Sequence, residues 1–236
     1  MEGSEHEQVV LNVQMGLFDF ANRLLYPENK WVLVRETMKG DFDDTPVIQP
    51  VEDIPENSNR PIVHMASRNV YSMDIARSRV DFVMAGKGPQ TLEQIWNDFY
   101  ERSLVVASMF VEQAPRRVGI VVRAFYIAEN PHEVAARILN DKIIAKNPSS
   151  ILVNQVEQMI LGGFNANSTT EVTSSTVATI SGLTGQQRGV QVARDLNIAG
   201  GTALTASKES ISGFLGNAHD SLDFARLEAL LWMKTK

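Results

Sequence analysis

Few residues in this chain are of types and spacings that could do chemistry. His219, Asp220 and Asp223 put a histidine and a carboxylate at i and i+4, so one helix face carries two groups able to ligate a metal. A metal-dependent phosphohydrolase needs further histidines. The others, His6, His64 and His132, fall in a terminal stretch, a strand and a helix start, so the pair is read first as helix surface.

The arginines form a second group. Arg68, Arg77, Arg79, Arg116, Arg117, Arg123 and Arg194 all lie on or beside strand-like apolar runs. A guanidinium held there needs a partner, because an unpaired buried cation costs several kcal/mol or more. Two readings are open. The arginines pair with Asp74, Asp81, Asp195 and Glu133 across strands, or several converge on one sheet face as a pocket for an anionic ligand or nucleic acid. The residues expected to line that pocket are Arg77, Arg123, Arg194 and Tyr126.

Other chemistries are closed by composition. With no cysteine there is no disulfide, thiolate nucleophile, zinc knuckle or iron–sulfur cluster. No Gly-x-Ser-x-Gly elbow accompanies a histidine and an acid, as serine hydrolysis requires. Gly86-Lys87-Gly88 lacks the remainder of a phosphate loop, and Gly182 to Gly185 reads as a turn between strands rather than a nucleic-acid loop between helices. The formal net charge of −6 opposes sequence-independent phosphate binding, which needs a basic face. These features point away from an enzyme and imply no cofactor. The N-terminal MEGSEHEQ is acidic, and no apolar run approaches the roughly 18 residues of a spanning helix, so the reading is cytoplasmic with no membrane contact.

The elements that must position these residues centre on Pro115 to Leu139. Val118 to Ile127 is almost continuously apolar and reads as a central strand carrying Arg123. Asn130-Pro131-His132-Glu133 then starts a helix, with Asn130 as cap and Pro131 at the first position. Upstream, Val9 to Val13 reads as a strand, Gly16 to Leu25 as a helix ended by Pro27, and Trp31 to Arg35 as a strand. Lys39 to Pro61, rich in proline and acid, reads as a long mobile loop, with Val47, Ile48, Val51 and Ile54 as the alternative basis for docking. Ile62 to Ala66 and Tyr71 to Met84 read as a strand pair. Thr91, with Gln94 three residues on, opens a helix that runs to Ala114; at about 24 residues it would span roughly 36 Å. Ser149 to Phe164 fits strand or helix and is assigned to strand. Thr169 to Ile180 and Arg188 to Ile198 form a hairpin, and a last helix runs from Ser207 to Trp232.

This order repeats: strand, helix, strands, long helix. The halves are 1–114, carrying the acidic loop at 39–61, and 115–236, joined in one compact unit. A faint echo accompanies it, Ile75-Ala76-Arg77 against Val192-Ala193-Arg194. The expected architecture is α+β, a mainly antiparallel curved sheet with two long helices packed on one face.

The strand 118–127 after a long helix, its Arg123 and Tyr126, and a terminal helix with Leu215, His219, Asp220 and Phe224 resemble a sporadically distributed prokaryotic family of about 250 residues and unknown function. The resemblance implies this fold order and no activity; sporadic occurrence suggests an accessory role, phage-related or tied to mobile elements. The leading expectation is a non-enzymatic binding or self-assembling protein, a homo-oligomer that uses loop 39–61, a sheet edge or a long helix to hold a protein partner. The alternative is a binder of an anionic small ligand or nucleic acid through sheet-face arginines.

Overall fold

The computed structural model describes residues 8–21, 24, 26–50, 54, 60–68, 70–139, 152–199 and 207–222. Among them one open, curved antiparallel sheet runs through both halves of the chain. Its strands are β1 (Gln8–Phe20), β2 (Val47–Ile48), β3 (Val63–Ala66), β4 (Tyr71–Ile75), β5 (Arg79–Ala85), β6 (Pro115–Ile127), β7 (Leu152–Leu161), β8 (Phe164–Thr179) and β9 (Gln186–Ile198), in the order β2-β3-β4-β5-β1-β6-β9-β8-β7. The helices are α1 (Lys30–Thr37), α2 (Leu92–Phe110), α3 (Pro131–Leu139) and α4 (Lys208–Leu222). This is the α+β arrangement expected, with the order strand, short helix, strands, long helix occurring twice. The opening strands of the two halves, β1 and β6, lie side by side at the middle of the sheet.

Alternation along β1 and β6 sets the two faces. Val13, Met15 and Leu17 stand opposite Val122, Ile120 and Val118 and are fully buried. All four helices feed the same cluster: Val34 from α1, Trp96, Phe99 and Phe110 from α2, Val134 and Ala135 from α3, and Ile211, Phe214 and Leu215 from α4. The two long helices also touch each other, through Tyr100 Oη to Ser212 Oγ at 2.9 Å and the Trp96 ring 4.9 Å from the His219 ring. Helix α2 begins as its sequence requires. Thr91 and Gln94 form a complete capping box, with the Thr91 N–H donating to Gln94 Oε1 at 2.9 Å.

Several expectations are corrected. The helix expected over Gly16 to Leu25 is not what its described residues form: β1 continues through Gly16 to Phe20, because a strand paired on both sides satisfies its whole backbone and buries 13, 15 and 17 on one face. Trp31 to Arg35 belongs to α1, not to a strand. A 3-10 turn at Pro27–Asn29 presets the helical backbone, and only Val34 of α1 is buried while Val32 and Leu33 stay exposed. Tyr71 to Met84 is two strands, β4 and β5, joined by a turn at 76–78. The described parts of 39–61 are docked: Val47 and Ile48 pair with His64 and Val63, Phe42 and Ile54 are buried, and Asp41 accepts two bonds from Arg102 on α2, at 3.0 and 3.2 Å. The strand assignment at 152–161 and the hairpin of β8 and β9 hold. The segment of the last helix beyond 222 lies outside the described residues. Arg77 sits in the β4–β5 turn and Arg194 in the middle of β9, so the sequence echo does not mark equivalent positions.

Candidate functional site

No described helix covers the other face of the sheet. At one end of it a small apolar cluster of Val9, Phe125 and Ile180 is closed by the β8–β9 turn, where Gly88 approaches Ser181. The middle is polar and open. Here β5 contributes Arg79 and Asp81, β1 contributes Asn12, Gln14, Gly16 and Phe18, β6 contributes Arg117, Gly119, Val121 and Arg123, and β9 contributes Asp195 and Asn197. The ladder places them on one face, with Gly16 opposite both Asp81 and Gly119, Phe18 opposite Arg79 and Arg117, and Gly119 opposite Asn197. A bulge at Leu11 brings Asn12 opposite Arg123.

Two facing glycines form the floor of a depression of about 330 Å³. A Cβ on Gly16 would lie 2.2 Å from the Phe18 ring, and one on Gly119 would lie 3.1 Å from Asn197 Cβ and 3.5 Å from the same ring. The absence of side chains at 16 and 119 therefore lets Phe18 lie across the sheet. The Arg79 guanidinium covers the ring at 4.5 Å from its centroid.

The polar groups form a chain across three strands. Arg123 Nη1 donates to Asn12 Oδ1 at 3.1 Å and to Gln14 Oε1 at 3.3 Å; Gln14 Nε2 donates to Asp81 Oδ1 at 2.8 Å; Arg79 donates to Asp81 through Nε and through Nη2, the latter at 2.8 Å. Gln14 is thus oriented by a donor on one side and an acceptor on the other. Beside it, Arg117 Nη1 lies 3.6 Å from Asp19, and Asn197 Nδ2 donates to Asp195 at 3.2 Å. One carboxylate, Asp81, takes both Gln14 and Arg79. Arg123 meets amide oxygens rather than a carboxylate among the described residues.

The four residues read from the sequence as a pocket are not brought together. Arg123 lies on the open face. Tyr126, three positions on, points to the helix-covered face and is fully buried. Arg194 is also on the covered face, where Nη1 donates to the Leu222 carbonyl at 2.6 Å and Nη2 to the Ser221 carbonyl at 3.3 Å and to Ser168 Oγ at 3.2 Å, holding the end of described α4. Arg77 belongs to the turn at 76–78. The cross-strand pairing reading also needs revision, since Arg79 takes Asp81 two residues along its own strand and Asp74 takes His64 at 2.7 Å. Arg68 pairs with Asp43 at 3.3 Å.

Of the metal pair, His219 packs on Trp96 and lies 3.3 Å from Asp220, while Asp223 lies outside the described residues. Among the described residues no three His, Asp or Glu side chains gather as a metal site, and no helix is long and apolar enough to cross a membrane.

The residues missed from the sequence are Gly16, Phe18, Gly119, Gln14, Asn12 and Asn197. Once 8–20 is read as strand, the alternation of Gln14, Gly16 and Phe18 against Met15 and Leu17 marks the open face. The facing of Gly16 and Gly119 depends on register between distant segments and carries no local signal.

The outer strand β7 differs from the centre. It pairs only with β8 among the described strands, and Leu152, Val156 and Ile160 on its open face are 69%, 63% and 74% exposed. The chain matches no protein-family model and no curated protein.

Proposed function

We propose that the protein is a non-enzymatic, self-assembling binding protein that works through the open side and outer edge of its sheet, in the accessory, phage-related or mobile-element role that the family resemblance implies. The observation that carries this reading is the row Leu152, Val156 and Ile160, exposed on a long edge strand. An edge strand of ten residues with a row of exposed apolar side chains, and with no second partner among the described strands, is a template for another strand. Light scattering and native mass spectrometry of the purified full chain test it. A mass that is a multiple of 26.2 kDa with nothing else bound supports self-assembly; a monomer at micromolar concentration overturns it.

A second reading, binding of an anionic small ligand or nucleic acid, is favoured by Arg123, whose guanidinium meets only amide oxygens among the described residues. Arg79 and Arg117 line the depression on the same face, and Arg123 is linked to it through Gln14. Titration calorimetry with inorganic pyrophosphate and with an oligothymidylate checks it. Binding that Arg123→Ala abolishes supports a site; identical heats for both proteins remove it.

A further inference from the structure

Strand β7, LVNQVEQMIL, is complementary to itself. On the open face the side chains run Leu152, Asn154, Val156, Gln158, Ile160, as the pairing of Leu152, Val156 and Ile160 with Thr173, Thr169 and Asn165 of β8 fixes. Turned by a two-fold axis perpendicular to the sheet at Val156, the sequence apolar, amide, apolar, amide, apolar falls on a copy of itself. Leu152 then faces Ile160 of the second copy, Asn154 faces Gln158, and Val156 faces its own counterpart. The helix-side residues match as well, with Val153 against Met159 and Gln155 against Glu157.

Charge fixes the same register. Glu157 is the only ionisable side chain of β7. With the axis at Val156 it faces an amide. Moving the axis one position to 157 sets Glu157 against Glu157, Val156 against Gln158 and Ile160 against Asn154, and leaves Leu152 opposite Gly162 beyond the strand, which like-charge repulsion and loss of apolar pairing both disfavour. Moving it two positions, to 154 or 158, keeps the faces matched but shortens the ladder. Exposed edges are ordinarily guarded by lysine, proline, bulges or short length. Strand β7 is ten residues long, contains neither lysine nor proline, and pairs with β8 without a register shift. The opposite edge, β2, has two residues.

We propose that two copies of this chain join edge to edge through antiparallel β7–β7 pairing about a two-fold axis at Val156, making one continuous sheet with the helices of both copies on the same side. This arrangement repeats the relation within the chain, where β1 and β6 meet antiparallel at the middle with long helices on one face. The inference rests on the self-assembly reading and names its partner and register. A C2 interface of this kind closes on itself and stops at two copies.

The chain's lack of cysteine allows a direct test. Directly opposed antiparallel residues have Cα atoms about 4.5–5.5 Å apart, within disulfide range. In full-length protein oxidised with diamide, Val156→Cys is expected to give a covalent dimer in high yield. Gln158→Cys alone is expected to stay uncrosslinked, because its own counterpart lies about four residues, or roughly 13 Å, away. Mixed with Asn154→Cys, it crosslinks. Val156→Lys, at a site exposed in the single chain, keeps the circular dichroism spectrum of the folded protein. It sets two ammonium groups face to face and weakens dimerisation by about tenfold or more. A stable oligomer in which the thiol of the Val156→Cys variant stays reduced overturns this interface and leaves self-assembly standing. A wild-type monomer, together with a Val156→Cys variant inert to diamide, overturns both. Equal crosslinking of the Val156→Cys and Gln158→Cys variants, each on its own, overturns the register.

Discussion

The depression at the sheet centre depends on Gly16 having no side chain, and this makes the effect of Gly16→Ala change sign with its neighbour. In the wild type a Cβ at 16 would meet the Phe18 ring at 2.2 Å, so the ring must leave its place over the two glycines. That removes the Arg79 contact, worth about 0.5–1 kcal/mol at a partly exposed site. It also re-exposes part of a half-buried phenylalanine, about 1–1.5 kcal/mol when taken as half of full burial. Against these, replacing glycine by alanine within a strand gains about 0.5–1 kcal/mol of chain entropy. The net for Gly16→Ala is a loss of about 1 kcal/mol. In a Phe18→Ala background nothing remains to displace, and the same substitution is expected to stabilise by about 0.5–1 kcal/mol. The coupling, about 1.5–2.5 kcal/mol, is what a double-mutant cycle in urea reads. If Gly16→Ala destabilises by the same amount in both backgrounds, the ring does not lie on Gly16 and the described floor of the site is wrong.

Further outcomes follow from the other polar groups. Arg194→Ala is expected to destabilise by about 1.5–3 kcal/mol, because charged donors to the Leu222 and Ser221 carbonyls are lost; Arg123→Ala, which removes bonds to half-buried amides, should cost about 1 kcal/mol or less, and urea midpoints rank the two. Arg102→Leu breaks the ion pairs with Asp41 and Asp98 and the contact with the Tyr71 ring, at about 2 kcal/mol for a partly buried network. It should also speed tryptic cleavage after Lys39 by loosening the start of the acidic segment. Burial, then the hydrogen bond to Asp98 and that carboxylate's charge, raise the Tyr71 pKa above the ordinary phenol value near 10. A folded pKa above the unfolded one gives stability that is full below pH ~10 and is lost as pH rises toward the folded value. Tyr71→Phe should therefore flatten the alkaline fall in Tm; an unchanged slope above pH ~10 would contradict it.

Much of the fold was legible where local and tertiary signals agree. The Thr91–Gln94 box opened α2, the apolar run at 118–127 named a central strand, and the Thr- and Val-rich stretch around Gly182 named a hairpin. The sequence misled where tertiary pairing overrides local pattern. Residues 17, 20, 21, 24 and 25 imitate a helical stripe, yet β1 is held as strand by partners more than 60 residues away. Trp31 to Arg35 is β-rich in type but lies within α1 and pairs with none of the described strands. At the site, parity alone separates Arg123 from Tyr126, since residues three apart on a strand face opposite ways. The placement of Arg194 under α4, and of Gly16 against Gly119, belongs to long-range register, which no window of sequence contains.

The central claim is that the outer edge of the sheet joins two copies of the chain. Sedimentation equilibrium of the full-length protein, beside its Val156→Lys variant, tests that most directly. The account predicts twice 26.2 kDa for the wild type and, for the folded variant, a dissociation constant raised by about tenfold or more, so that its mean mass falls toward 26.2 kDa on dilution before that of the wild type does. A wild type that sediments as a single chain, or a variant that dissociates no more readily than the wild type, would contradict it.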